Sequence, residues 1–186
     1  MHVDEQILQE CIQGKRKAQK MLFDAFSPAM LAVCMRYCND RDEAEDVLQE
    51  AFIKVFQNLH TFRKEGSLAG WIKRIIINHA INYNHKKQRH LFLENIERVQ
   101  ETDIIFPDAP IEYPDELSPE ILLRLVQELP TGYRTVFNLY IMEDYSHKEI
   151  GELLGISENT SKTQLLKARR WLRNRIEERK SKKKLL

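Results

Sequence analysis

The residues best equipped for chemistry in this 186-residue chain are suited to binding rather than bond-making. Thr160, Lys162, Thr163, Gln164, Lys167 and Arg170 gather hydroxyls, an amide and cations into one short stretch. Hydroxyls and amides hydrogen-bond base edges in a duplex groove, and cations neutralise phosphates. A second set, Phe62, Lys64, Asn78, Asn82, Lys86 and Lys87, suits unpaired nucleic acid. Aromatic rings stack on exposed bases, amides read their edges and lysines hold the backbone. A third set, Glu45, Asp46, Gln49 and Glu50, is acidic. It serves equally well as a solvated helix face or as a docking face for a basic partner.

The elements that must carry these groups are helices. Around the first set, Ser146 and Glu149 make a capping box, and Ile150, Leu153 and Leu154 form an apolar stripe. Gly155 supplies a left-handed stop, Ile156 plugs the corner and Ser157 caps a second helix. That is the layout of a helix-turn-helix, whose second helix enters the major groove. Upstream, Pro130 breaks a helix that opens at Ser118-Pro119, and another follows from Tyr133 to about Glu143. The last helix continues past Trp171 into a basic tail, Arg179 to Lys184, expected to fray and to touch phosphates.

In the N-terminal half the periodicity predicts four helices. The first starts at Asp4, the second spans Arg16 to Cys38 with Pro28 inside it, and the third opens on an Asp40/Glu43 capping box and runs to about Asn58. Its outward face reads Asp42, Glu43, Glu45, Asp46, Gln49 and Glu50. The fourth, from Leu68 to about Arg89, is capped by Ser67. Ile72, Ile75, Ile76 and Ala80 are expected inward, and His79, His85 and His90 toward solvent or nucleic acid. Trp71 is expected in the core, whereas Phe62 sits in a polar loop.

Composition narrows the function classes. Six glycines and six prolines are too few for a turn-rich β fold. The net charge of +1 conceals two basic segments: residues 54–93 hold eight Lys/Arg against one acid, and residues 145–186 hold twelve against five. Between them, residues 94–128 hold ten acids against two arginines, and Pro107, Pro110 and Pro114 break any helix there. This reads as an acidic linker whose Ile104-Ile105-Phe106 cluster rests on a partner surface. Cys11, Cys34 and Cys38 give no disulfide framework and are read as buried, reduced thiols. The six glycines never form a phosphate loop, and the histidines make no ligand motif. Neither an enzyme, a metal site nor a cofactor is expected. Without a secretory signal or a long apolar run, the chain reads as soluble and cytoplasmic, with no membrane insertion.

Two blocks then resemble a known family. Glu43-Ala44-Glu45-Asp46-Val47-Leu48-Gln49-Glu50-Ala51-Phe52, with Trp71-Ile72-Lys73-Arg74-Ile75 through Asn78, resembles the first domain of bacterial extracytoplasmic-function sigma factors. Leu129-Pro130, Arg134-Thr135-Val136-Phe137 and Glu149-Ile150-Gly151 through Arg169 are similar to their second domain. The resemblance implies an all-α protein of two small four-helix domains, residues 1–90 and 118–186, joined by the acidic linker 91–117. It implies a non-enzymatic subunit that gives core RNA polymerase its promoter specificity. Asp46, Gln49 and Glu50, with Glu45, would dock on the polymerase. Phe62, Asn78 and Asn82, with Lys64, Lys86 and Lys87, would capture the melted −10 element. Lys162, Thr163, Gln164 and Lys167, flanked by Thr160 and Arg170, would read the −35 duplex. Core RNA polymerase, promoter DNA and an anti-sigma factor are the implied partners.

This chain departs from the family pattern in four places. Ser161 replaces the usual Val, which predicts looser packing of the recognition helix. Gly151 replaces Ala, at up to about 1 kcal/mol in a helix interior unless close packing needs the space. Asn159 and Gln164 stand for the commoner Gly and Arg, and Gln in place of Arg trades a guanine-reading fork for an adenine-reading amide. The competing reading is a self-sufficient helix-turn-helix regulator, which would need a sensory or dimerising domain that the sequence does not display.

Overall fold

The fold was obtained as a computed structural model, which describes residues 4–92 and 118–183. Most of the acidic linker, with Ile104-Ile105-Phe106, lies outside the described residues, as does the side chain of His90. Among the described residues every regular element is helical. The chain divides into two compact units, residues 1–91 and 92–186.

The N-terminal unit contains α1 (Glu5–Ile12), α2 (Arg16–Tyr37), α3 (Arg41–Asn58), a tight turn (Leu59–Thr61) and α4 (Leu68–Phe92). Asp4 caps α1 and Asp40 caps α3, its carboxylate accepting from the Glu43 amide at 2.8 Å. The second half of the expected capping box is shifted by one residue. Glu43 accepts from the backbone and side-chain nitrogens of Asn39, at 2.8 and 2.9 Å, rather than from Asp40. α2 runs through Pro28 as one element. Leu22, Tyr37, Val47, Phe52, Leu59, Ile72, Ile76 and Ile77 are buried together with all three cysteines. Each large side chain so buried contributes about 1.5–3 kcal/mol. The edge-on Phe23–Phe52 pair, 4.8 Å between centroids, ties α2 to α3. Burial pushes the Cys34 thiol up to about 12, which leaves little thiolate at neutral pH.

Polar ties fix α4 against its neighbours. Asn84 donates to the Tyr37 carbonyl at 3.0 Å, Lys87 donates to Glu43 at 2.7 Å, and the His79 ring nitrogen Nε2 lies 3.1 Å from Glu50 Oε2. Glu43 and Glu50 are two turns apart on α3, and their partners run in reverse order on α4. The two helices therefore pair antiparallel through acid–base contacts. This corrects two expectations: Glu43 is buried rather than part of the outward acidic face, and His79 is buried rather than solvent-facing. Ile75 is half-buried, and Ile77 and Ile81 complete the inward face.

The C-terminal unit contains α5 (Pro119–Gln127), α6 (Thr131–Phe137) widening into a π turn (Asn138–Met142), α7 (His147–Leu154) and α8 (Glu158–Lys183). α6 starts directly after Pro130, earlier than Tyr133. The wide turn then swings Ile141 and Met142 outward, so Met142 is exposed rather than core. With Leu122, Leu125, Val126, Phe137, Leu172 and Ile176 these two residues line an apolar groove of about 180 Å3. Leu153 is likewise largely exposed, leaving Ile150 and Gly151 as the buried positions of α7. Among the described residues α8 continues to Lys183, and Arg175 and Arg179 approach Glu128 at 3.8 and 3.6 Å; Lys184, the end of the basic tail, lies outside the described residues.

Candidate nucleic-acid and polymerase interfaces

In the N-terminal unit the loop after α3 and the start of α4 enclose a cavity of about 430 Å3. Phe62 and Trp71 form one side, their rings 5.6 Å apart and tilted by 49°. Both are half-buried, so each presents part of its ring outward. Arg63, Arg74, one acid (Glu65) and the small or polar residues Thr61, Gly66, Ser67 and Gly70 line the rest. A Cβ at Gly70 would come within 3.0 Å of Ser67 Oγ, the atom that accepts from the Gly70 amide. Lys64 holds a left-handed backbone, φ 61°, uncommon for a residue other than glycine, and its ammonium pairs with Glu5. The loop is therefore pinned at both ends of the cavity.

Trp71, Arg74, Asn78, Asn82 and Lys86 recur at three- and four-residue spacing, which places them along one face of α4 leading away from the cavity. Asn82 and Lys86 are exposed and Asn78 is half-buried. Lys87 differs, since its ammonium is already bonded to Glu43 and held above its ordinary pKa chiefly by that hydrogen bond. Trp71, Arg63 and Arg74 are absent from the sequence-derived set. The signal that identifies Trp71 and Arg74 is the shared helical face with Asn78 and Asn82, and Arg63 is identified by its place beside Phe62 in the loop.

On α3, Asp46, Gln49 and Glu50 are exposed, and Glu45 is half-buried with an ion pair to Arg41 at 2.7 Å. Ile53, which the apolar pattern did not single out, is 58% exposed on the same stripe. Ile53 thus adds apolar area to the acidic stripe, the kind of group an interface can cover.

In the C-terminal unit the capping box of α7 is complete. Ser146 and Glu149 exchange bonds, and Gly155 stops the helix at φ 68°. Hydrogen bonds from Ser146 hold the Glu149 carboxyl below its ordinary pKa. Gly151 is required by packing, since a Cβ there would lie 2.8 Å from the Ile156 carbonyl oxygen. Ser161 is fully buried and meets His147 Nδ1 at 2.9 Å, and the imidazole stacks on Tyr140 at 4.4 Å. A polar joint thus replaces the looser packing expected of Ser161. Beside it a cleft of about 440 Å3 is lined by Tyr140, His147, Lys162, Thr163, Leu166 and Arg169, among others.

By their three- and four-residue spacing Thr160, Thr163, Gln164, Lys167 and Arg170 fall on one face of α8, and Lys162 lies off it, but their surroundings differ. Thr163 and Arg170 are exposed and Lys167 is half-buried on the outer side of α8. Thr160 serves the helix start, its amide and hydroxyl both meeting Ser157 Oγ. Lys162 pairs with Glu158 at 2.7 Å. Gln164 turns toward α6, where a Cβ on Gly132 would approach its Oε1 to 3.3 Å. Among the described residues, no cluster of three or more His, Cys, Asp or Glu could hold a metal ion. No described helix is long and apolar enough to cross a membrane.

Comparison with known proteins aligns with this geometry. Residues 22–90 match the family model for sigma-70 region 2, and residues 120–172 match that for sigma-70 region 4. The chain is 27% identical to the ECF RNA polymerase sigma-E factor of Haemophilus influenzae, over 94% of this chain and 95% of that protein. It is 29% identical to the ECF RNA polymerase sigma factor SigW of Bacillus subtilis, covering 88% and 91% respectively. Among solved structures, the sigma factor RpoE of Bartonella quintana, crystallised with the anti-sigma factor NepR, shares the fold at TM-score 0.54 and 20% identity. That match covers 85% of this chain and 96% of that one.

Proposed function

The chain belongs to the extracytoplasmic-function sigma factors of the sigma-70 family, and from that premise we propose how its two helical bodies divide promoter recognition. As a sigma factor it is a non-enzymatic initiation factor of RNA polymerase. Residues 1–90 engage the polymerase and the −10 element, residues 118–186 engage the −35 element, and residues 91–117 join them. The ring pair Phe62–Trp71, with Arg63 and Arg74 beside it, receives an unstacked base. Asn78, Asn82 and Lys86 then guide the strand along α4. Thr163, Lys167 and Arg170 face the −35 duplex, with Lys162 on its flank. Gln164 stands at the edge of that surface.

The docking surface is the α3 stripe Asp46, Gln49, Glu50 and Ile53. Its core-polymerase partner supplies complementary basic and apolar groups. The same surfaces suit capture by an anti-sigma factor, and the protein works in the cytoplasm, where polymerase and promoter are found. The observation that carries the reading is the cavity at Phe62 and Trp71, opening onto a polar-basic helix face within the region-2 match.

Run-off transcription with core polymerase on genomic fragments tests it. The chain alone is expected to bind promoter duplex weakly, and polymerase to restore defined start sites. A tight polymerase-free footprint on a palindrome would instead establish a self-sufficient regulator.

A further inference from the structure

His79 lies on α4 with only 8% of its surface exposed, yet its Nε2 reaches outward to the Glu50 carboxylate, 58% of whose side chain is in solvent. Nδ1 is buried and meets no partner within the protein. A ring held this way has one consistent tautomer: Nε2–H donates to Glu50, and Nδ1 keeps its lone pair. Burial, and next the Lys54 charge, hold the imidazole below its ordinary pKa, with Glu50 opposing them. The neutral donor form therefore prevails at neutral pH. A surface glutamate ordinarily samples several rotamers, and fixing it in a complex costs about 0.5–1.5 kcal/mol. His79 removes part of that freedom before any partner arrives.

We infer that His79 is a positioning residue for polymerase docking, holding Glu50 in the orientation in which α3 presents it to the core enzyme. The inference rests on the docking role proposed above for Asp46, Gln49, Glu50 and Ile53. It differs from the other acid–base tie between α3 and α4, because Glu43 is buried and Lys87 only fastens the helices together. In the His79 pair the acid is the exposed member, so the buried group serves the surface one.

The test uses imidazole geometry. A Gln side chain places its amide nitrogen where Nε2 stands, and an Asn side chain places one where Nδ1 stands. Full-length His79→Gln, His79→Asn, Glu50→Ala and the double variant His79→Asn/Glu50→Ala are titrated against core RNA polymerase, with thermal melts alongside. His79→Gln should bind like the parent. His79→Asn should bind about three- to ten-fold more weakly. The double variant should bind no more weakly than Glu50→Ala, because truncating either side chain removes the same hydrogen bond once. Equal affinities for the Asn and Gln variants, or losses that multiply in the double variant, overturn the positioning role while leaving the sigma-factor reading intact. Failure of the parent chain to bind polymerase overturns both.

Discussion

Gly151 illustrates how a single missing methyl sets the angle of the helix-turn-helix. Its carbonyl accepts from the Gly155 and Ile156 amides, so the turn folds back onto the α7 backbone at this residue. A Cβ would meet the Ile156 carbonyl oxygen at 2.8 Å, and a backbone atom cannot swing aside as a side-chain tip can. Helix propensity favours Ala over Gly by about 1 kcal/mol, whereas overpacking costs about 1–3 kcal/mol. The clash wins. Gly151→Ala is therefore expected to destabilise the C-terminal unit by about 1–2 kcal/mol, read as a lower denaturant midpoint at unchanged slope. A gain in stability would mean that the turn relaxes freely.

At the scale of elements, helix existence and type were legible in the sequence because caps and periodicity are local. Asp40, Ser118, Ser146 and Gly155 perform the duties their residue types announce. What the sequence withheld is tertiary. Glu43 and Lys87 lie 44 positions apart, and nothing local distinguishes Lys87 from Lys86. The same holds for Gln164, whose direction depends on Gly132 in another helix. The candidate side chains thus fall on the elements that the sequence predicts for them, while which of them each helix leaves available was not legible, as Trp71 and His79 also illustrate. The pair of lysines provides the check. Lys87→Ala deprives buried Glu43 of its cation and is expected to cost about 1–2 kcal/mol of stability, allowing for the half-exposed ammonium. Lys86→Ala should leave stability within about 0.5 kcal/mol and instead weaken binding to −10 single strand. Thermal melts and strand-binding titrations of the two variants separate the roles, and exchanged phenotypes would reverse the assignment.

For the whole molecule, the proposed function apportions charge and chemistry between two bodies. On that proposal the C-terminal body offers cations and hydroxyls to paired DNA, a contact governed by counterion release and hence by salt. On the same proposal the N-terminal body offers ring faces, and stacking of an extruded base contributes about 1–3 kcal/mol by alanine substitution, a contact between uncharged rings that releases no counterion of its own. Two variants of the polymerase-bound factor should then fail at different steps. Lys167→Ala is expected to weaken closed-complex formation and to lower its logarithmic salt slope by about 1, while the fraction of bound promoter that opens stays unchanged. Phe62→Ala should leave the salt slope of closed binding intact and reduce opening by about ten-fold or more, read as permanganate reactivity of −10 thymines. Because each loss is confined to one step, their free energies should add in the combined variant. If Phe62→Ala changed the salt slope, or Lys167→Ala the opened fraction, the two bodies would share a step and the division of labour would have to be redrawn.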